Sequence, residues 1–378
     1  MTLQNIADEF EQCFKCGLCL ATCPVHKELF LEKFGPRGKI QLARYYDQGK
    51  LDLSEHYREI FMRCLLCGAC VSTCPSGVNL NRVFIAIREE ITKEKGLDSN
   101  VEGMARSVSS YHNISGEDNA ERGDWRDFLE SLPEHGYEKE EAEVAYFVGC
   151  VASFFPMVQM IPQNLVRILD RANVDFALLG GEEWCCGFPL IGAGASEGAH
   201  EMISHNLEKV RALGARRVVF SCPTCYKTWA EYYNAGLELF HSTQILERLI
   251  NEGMIHLGEV NARVTYHDPC DLGRGGGEFE APRNILKSIP GIELVELENN
   301  RARSVCCGGG GNVEVADSDL SGAVAHRKIE EILRTGARTV VSACQQCVRT
   351  IKSCARREKI DMEVLDITDM VLRAMAAA

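Results

Sequence analysis

The sequence predicts a multidomain protein, a helical and cysteine-rich N-terminal domain followed by two pseudo-symmetric α/β domains. Three observations carry this. The 378 residues include 19 cysteines, far above background, and they fall in groups. Cys150, Cys185/Cys186 and Cys222/Cys225 recur as Cys270, Cys306/Cys307 and Cys344/Cys347, displaced by 120, 121 and 122 residues. The text around the last pair repeats too, GARRVVFSCPTC (214–225) against GARTVVSACQQC (336–347). Finally, the apolar pattern changes along the chain, from helical spacing alone near the start to β-rich runs alternating with helical ones.

Taken in order, residues 1–97 are nearly charge-balanced, with 13 basic and 12 acidic residues, and read as helices at LQNIADEF, GKIQLARYYDQG, SEHYREIFMRC and LNRVFIAIREEITKEKG. Residues 98–143 hold 4 basic and 13 acidic residues and no cysteine, the composition of a solvated acidic connector. The first repeat then spans 144–258 and the second 259–378, each a normal domain size. Strands are expected at VAYFVG, RRVVFS, RVTYHD, IELVEL, RTVVSA and MEVLDI. Helices are expected at HEMISHNLEKVRAL and AVAHRKIEEILRT, with Gly214 and Gly336 where each should stop. The uncharged run 144–166 is long enough to span a bilayer. Its prolines, glutamines and asparagine instead fit a buried strand, a turn and the start of a helix.

A composition of 46% hydrophobic and 25% charged residues is that of a globular protein, and a net charge of −13 argues against a nucleic-acid partner. So many cysteines in a long chain that opens on no signal peptide point to metal ligation in a reducing, cytoplasmic setting rather than to disulfides.

The N-terminal cysteines have a specific spacing. Cys13, Cys16, Cys19 and Cys23-Pro24 form one C-x2-C-x2-C-x3-C-P run, and Cys64, Cys67, Cys70 and Cys74-Pro75 form another. This is the bacterial ferredoxin pattern, in which three cysteines hold one [4Fe-4S] cubane and the fourth ligates the other. The expected sets are therefore Cys13, Cys16, Cys19 and Cys74 for one cubane, and Cys64, Cys67, Cys70 and Cys23 for the other. A zinc scaffold is the competing reading of another class. Zinc closes on four ligands in a tetrahedron, which two full runs with prolines fit poorly. The helical sequence between the runs predicts an α-helical ferredoxin domain.

The vicinal pairs need another explanation. Neighbouring residues of a strand face opposite ways, and Cα atoms about 3.8 Å apart make a poor disulfide. Each repeat offers five cysteines, one more than a cubane or a zinc ion takes. Five thiolates suit an irregular cluster with one sulfur bridging two irons.

Cys…Cys-Cys-Gly…Cys-x-x-Cys, twice, after a double ferredoxin run, resembles the CCG-domain iron–sulfur proteins. These include the heterodisulfide reductase catalytic subunit and the iron–sulfur subunits of glycolate oxidase and anaerobic glycerol-3-phosphate dehydrogenase. The resemblance covers nearly the whole chain and includes YHDPCDLGR (266–274), HSTQIL (241–246), Arg122 and Trp125. It implies two CCG domains, each with a noncubane [4Fe-4S] cluster. One would be held by Cys150, Cys185, Cys186, Cys222 and Cys225, the other by Cys270, Cys306, Cys307, Cys344 and Cys347. In the heterodisulfide reductase branch a disulfide is split between the two. This chain departs from the family pattern with Asp271 where His is common.

Further candidates lie beside the cysteines. Gly187, Gly308 and Gly309 would bring backbone N–H groups close to cluster sulfur. His267, Asp268 and His241 are candidates for proton transfer, with strand-end or helix-start packing as their plain alternative. Cys354 is left over as a bystander thiol, and His200 and His205 read as surface residues. GRGGGE (273–278) lacks the dinucleotide fingerprint, so no FAD or NAD is expected in this chain.

The expected function is an electron-transfer subunit of an anaerobic oxidoreductase complex, passing electrons between the cubanes and the CCG clusters. The alternative is a catalytic subunit that makes or breaks a disulfide at the two noncubane sites. Expected partners are other redox subunits, among them a flavoprotein, a ferredoxin-type donor or a membrane quinone-reducing protein. The expected location is the cytoplasm or the cytoplasmic face of a membrane.

Overall fold

The computed structural model describes residues 6–129, 136–137 and 139–378. The helix expected at residues 3–10 lies partly outside them; its described part is Ala7–Gln12.

Residues 6–97 are helical. Ser54 caps helix Glu55–Met62 by accepting from the Tyr57 amide, and Asn79 caps Leu80–Lys95 by accepting from the Arg82 amide. The latter helix ends at Gly96, in the positive-φ region. Its buried face packs on the Glu55–Met62 helix through Phe61 and Phe84, edge to face at 6.0 Å.

Two all-parallel sheets follow. The first comprises β1 (Gly136–Tyr137), β2 (Val144–Phe147), β3 (Phe176–Leu178), β4 (Arg217–Phe220) and β5 (Glu238–His241), in the order β1-β3-β2-β4-β5. The second comprises β6 (Ala262–His267), β7 (Ile292–Glu296), β8 (Thr339–Ser342) and β9 (Glu363–Asp366), in the order β7-β6-β8-β9. Without its edge strand β1, the first sheet has the strand order of the second. The central pairs correspond residue for residue, with Phe147 opposite Phe220 in one and His267 opposite Ser342 in the other. Buried on both sides, β2, β4 and β8 read as continuous apolar runs. The run 144–166 folds as β2, helix Cys150–Phe154 and the start of helix Met160–Arg171. Among the described residues no helix is long and apolar enough to cross a membrane.

The acidic segment is not the solvated linker its composition predicts. It forms helix Ser99–Tyr111 and the 3-10 turn Asn119–Phe128, and its β1 joins the first sheet ahead of residue 144. Its described acidic residues are exposed, Asp98 only partly, while Arg122 and Trp125 are buried. Net charge reports the exposed face of such a segment and is silent on the few residues that anchor it.

The cysteines sit where the strands end. Cys150 and Cys222 follow β2 and β4, and Cys270 and Cys344 follow β6 and β8, the carboxyl edge at which parallel sheets place their sites.

Candidate metal centres

The N-terminal thiols collect into two small cavities. Cys13, Cys16, Cys19 and Cys74 line one, together with Gly17 and Arg37. Cys23, Cys64, Cys67 and Cys70 line the other, together with Gly68 and Lys39. The fourth cysteine of each run has crossed to the partner run. Helices Leu18–Thr22 and Ala69–Ser72 begin at Gly17 and Gly68, both left-handed, which turns three thiols inward within one short loop. Cys16 is exposed, so the first set reaches the surface.

The ten cysteines of the repeats line one cavity of about 440 Å³ between the two sheets. Within each set the thiols neighbour one another in the order Cys150–Cys185–Cys186–Cys225–Cys222 in the first and Cys270–Cys306–Cys307–Cys347–Cys344 in the second. Cys307 and Cys347 are 3.3 Å apart. The vicinal pair sits in the middle of each row, one sulfur facing each way. Gly187 and Gly308 follow the pairs at φ +90 and +98. A Cβ at Gly187 would lie 2.9 Å from that of Ala199, and one at Gly308 would lie 2.5 Å from the Ser321 carbonyl oxygen. Only glycine lets the turn lie against the following helix. Gly309 lines the cavity directly.

Fixed charges surround the thiols. Arg122 pairs with Glu183 at 2.8 Å, both side chains buried, and Nη2 donates to the Cys150 sulfur at 3.4 Å. Glu183 accepts from the Val148 and Gly149 amides. Burial pushes its carboxyl up to about 7 against the pull of Arg122 and these amides. The Cys185 contact, with Arg122 behind it, holds the Cys150 thiol below its ordinary range. Beside the second N-terminal set, Lys39 Nζ donates to the Arg63 carbonyl, at 2.6 Å. The Arg88 guanidinium, fully buried, donates to the carbonyls of Phe61, Met62, Cys64, Gly192 and Gly311, so one residue clasps all three domains. Neither cation has an ion-pair partner among the described residues.

The other candidates fall as follows. Asp268 is held by Arg283 through two bonds, 2.6 and 2.8 Å, and by the Arg301 amide. His241 caps helix Ser242–Asn251. His267 reaches Cys307 and Cys347. Cys354 is buried beside Arg357 and Glu358, apart from the ten. His205, expected on the surface, stacks on Trp184 at 3.6 Å, and His112 stacks on the opposite face at 3.5 Å. Sequence reasoning missed Lys39, Arg88 and Gln345. Gln345 bridges the repeats, donating to Val148 O and Ser221 Oγ and accepting from the Ala152 amide. Arg88 left one signal, a charge on the apolar face of VFIAIREEI.

All-thiol donor sets of four and five, glycine-tight loops and buried cations fit anionic iron–sulfur clusters, which thiolates hold. The fold and these sites define an iron–sulfur redox protein. Residues 9–78 match the 4Fe-4S dicluster domain family, and residues 144–228 and 264–352 match the cysteine-rich CCG domain family. One component of the dihydromethanophenazine:CoB–CoM heterodisulfide reductase of Methanosarcina barkeri is 31% identical over 97% of this chain and 94% of its own. The EtfAB:quinone oxidoreductase of Syntrophomonas wolfei is 27% identical over 84% of this chain and 47% of its own. A hypothetical protein from Helicobacter pylori shares the fold, with a TM-score of 0.58 over 90% of this chain and 68% of its own at 9% identity. The chain belongs to the family of CCG-domain iron–sulfur oxidoreductase subunits that includes this heterodisulfide reductase component.

Proposed function

We propose that the chain is the disulfide-active subunit of an oxygen-sensitive complex. Reducing equivalents enter through two cubanes in the N-terminal domain and are used in the cavity shared by two noncubane sites, one in each pseudo-symmetric CCG domain. The observation that carries this is the single cavity lined by all ten repeat cysteines. A pure relay, the function the sequence favours, needs sites close together but no room between them. The clusters, when bound, supply the one-electron steps. In sum an S–S bond breaks, two electrons and two protons are taken up, and two thiols leave.

The chain's own residues do the rest. Met104, Ile114, Phe155, Phe188 and Val315 give the cavity apolar walls that keep water from the reacting sulfurs. Asp271 faces it, accepting from Thr224 of the other repeat at 2.7 Å with Lys227 at 3.9 Å, and is placed to pass protons to a departing thiolate. The one-electron donor, a flavoprotein, a ferredoxin-type protein or a quinone-linked partner, docks where Cys16 brings the first set to the surface.

The test is the electron paramagnetic resonance (EPR) spectrum of the anaerobically prepared, oxidised protein with and without added thiol. A thiol-dependent change in the signal of the repeat sites is expected. An unchanged spectrum, with a flavoprotein co-purifying, would return the chain to a relay.

A further inference from the structure

The two five-cysteine sets are alike in sulfur and unlike in what stands behind the sulfur. His267, the last residue of β6, is 1% exposed, and neither ring nitrogen makes a hydrogen bond of ordinary geometry among the described residues. A ring nitrogen and the sulfurs of Cys307 and Cys347 lie within 4.8 Å of one another. A buried imidazole with no partner is costly unless something absent from the protein atoms completes it.

The first repeat is the internal control. Strand register puts Phe147 at the place of His267 and Phe220 at the place of Ser342. Phe147 packs against Phe220 at 5.6 Å and Trp229 at 5.5 Å, an apolar box. In the second repeat Ser342 donates to the His267 carbonyl, at 3.1 Å, and Ile351 stands four residues after Cys347 as Trp229 does after Cys225. Three positions have changed together, from a box that excludes polarity to one that admits an imidazole.

Resting on the reading that Cys270, Cys306, Cys307, Cys344 and Cys347 hold an iron–sulfur cluster, we propose that His267 donates a hydrogen bond to the sulfur edge of that cluster at Cys307 and Cys347. The two noncubane sites are thereby inequivalent. A donor to cluster sulfur stabilises the more negative, reduced state and raises the potential. The second set also adjoins the N-terminal domain, where Arg274 donates both to the Cys67 carbonyl at 2.8 Å and to the Ser304 carbonyl at 2.6 Å, two residues before Cys306. It is therefore the site that fills first, and the first set, boxed by Phe147, is the more strongly reducing one. His267 acts here as a positioning and tuning residue.

The experiment uses the full chain, prepared anaerobically with histidine labelled with nitrogen-15 in the imidazole ring only. Ring labelling leaves silent the backbone nitrogen of His26, which contacts Cys23. Pulsed EPR is expected to show an imidazole nitrogen coupled to one of the two repeat-site signals and not to the other. In His267→Phe that coupling should vanish, and the potential of the same signal should fall by at least a tenfold change in its one-electron equilibrium constant, about 59 mV. His267→Gln, which keeps an N–H donor, should recover part of the shift. A loaded second site with no imidazole coupling in the unmutated protein overturns the proposal, as does His267→Phe with both signals titrating as before. If iron and sulfide analysis finds no cluster at the second set at all, the underlying reading fails instead, and the two failures are distinct.

Discussion

The thiol of Cys67, in the N-terminal domain, lies beside that of Cys306, in the second repeat. This proximity joins the inner N-terminal set to one of the two sets around the cavity, and it lowers the Cys67 thiol below its ordinary range. Arg274 holds the junction, donating to the carbonyls of Cys67 at 2.8 Å, Ser304 at 2.6 Å and Ala302 at 3.2 Å. Arg274→Met removes these charge-assisted bonds while sparing every thiol. A loss of about 2–4 kcal/mol in denaturant unfolding is expected. Iron content should hold while the repeat sites reduce more slowly than the cubanes in stopped flow. Equal rates at all sites would show that electrons do not cross here.

Arg122 and Glu183 form a buried pair, and breaking such a pair by removing one partner costs about 3–5 kcal/mol. Arg122→Met should therefore destabilise the protein by that amount, measured by chemical unfolding. It should also loosen the first set through Cys150, so that iron is lost there before it is lost from the N-terminal domain. Uniform iron loss would mean that the acidic segment has no special hold on the first repeat.

That segment marks the limit of what the sequence makes legible. Iron–sulfur ligation would fix cysteine spacing locally, so the N-terminal groups, with a fourth cysteine crossing to the partner run, and the repeat of five are visible in the text. So are β2, β4 and β8, because strands buried in a parallel sheet are continuous apolar runs, and β6, through the β-formers Val264, Thr265 and Tyr266. β3 is three residues long and β5 is a partly exposed edge strand carrying Glu238, too short and too mixed to show a period. The docking of Arg122 on Glu183, the clasp of Arg88 and the shared cavity depend on residues brought together from distant parts of the chain. An internal repeat states that two units are alike, and not that their sites face each other.

Lys39 and Arg88 are cations placed in the interior beside Cys64 with no carboxylate paired to them among the described residues, and burial lowers the pKa of both. An anionic cluster held, as proposed, by Cys23, Cys64, Cys67 and Cys70 would be the charge that balances them. Lys39→Met should lower the midpoint potential of that one cubane by on the order of 100 mV, the equivalent of about 2 kcal/mol for one electron. The other cubane should be unmoved in the same redox titration. Equal shifts in both would point to a loss of packing rather than of charge.

Asp366 gives a pH prediction away from the thiols. It ends β9 and caps helix Ile367–Ala376, accepting from the Thr368 amide and hydroxyl. Burial raises its carboxyl from 3.8 to about 7 against those bonds, and Asp369 pushes the same way. The folded protein thus holds a proton that the unfolded chain has released, across the window from about pH 4 to 7. Its contribution is complete below that window and is lost as pH rises through it. Asp366→Asn keeps an oxygen for the cap and removes the titration. The variant should match the unmutated protein near pH 4 and below, and exceed it by about 2–4 kcal/mol near pH 8, measured as the difference in unfolding free energy under anaerobic conditions. Taking the difference cancels Glu183, which titrates in the same sense. A variant less stable at pH 8 than the unmutated protein would show that Asp366 is ionised in the folded state and that the cap needs its charge.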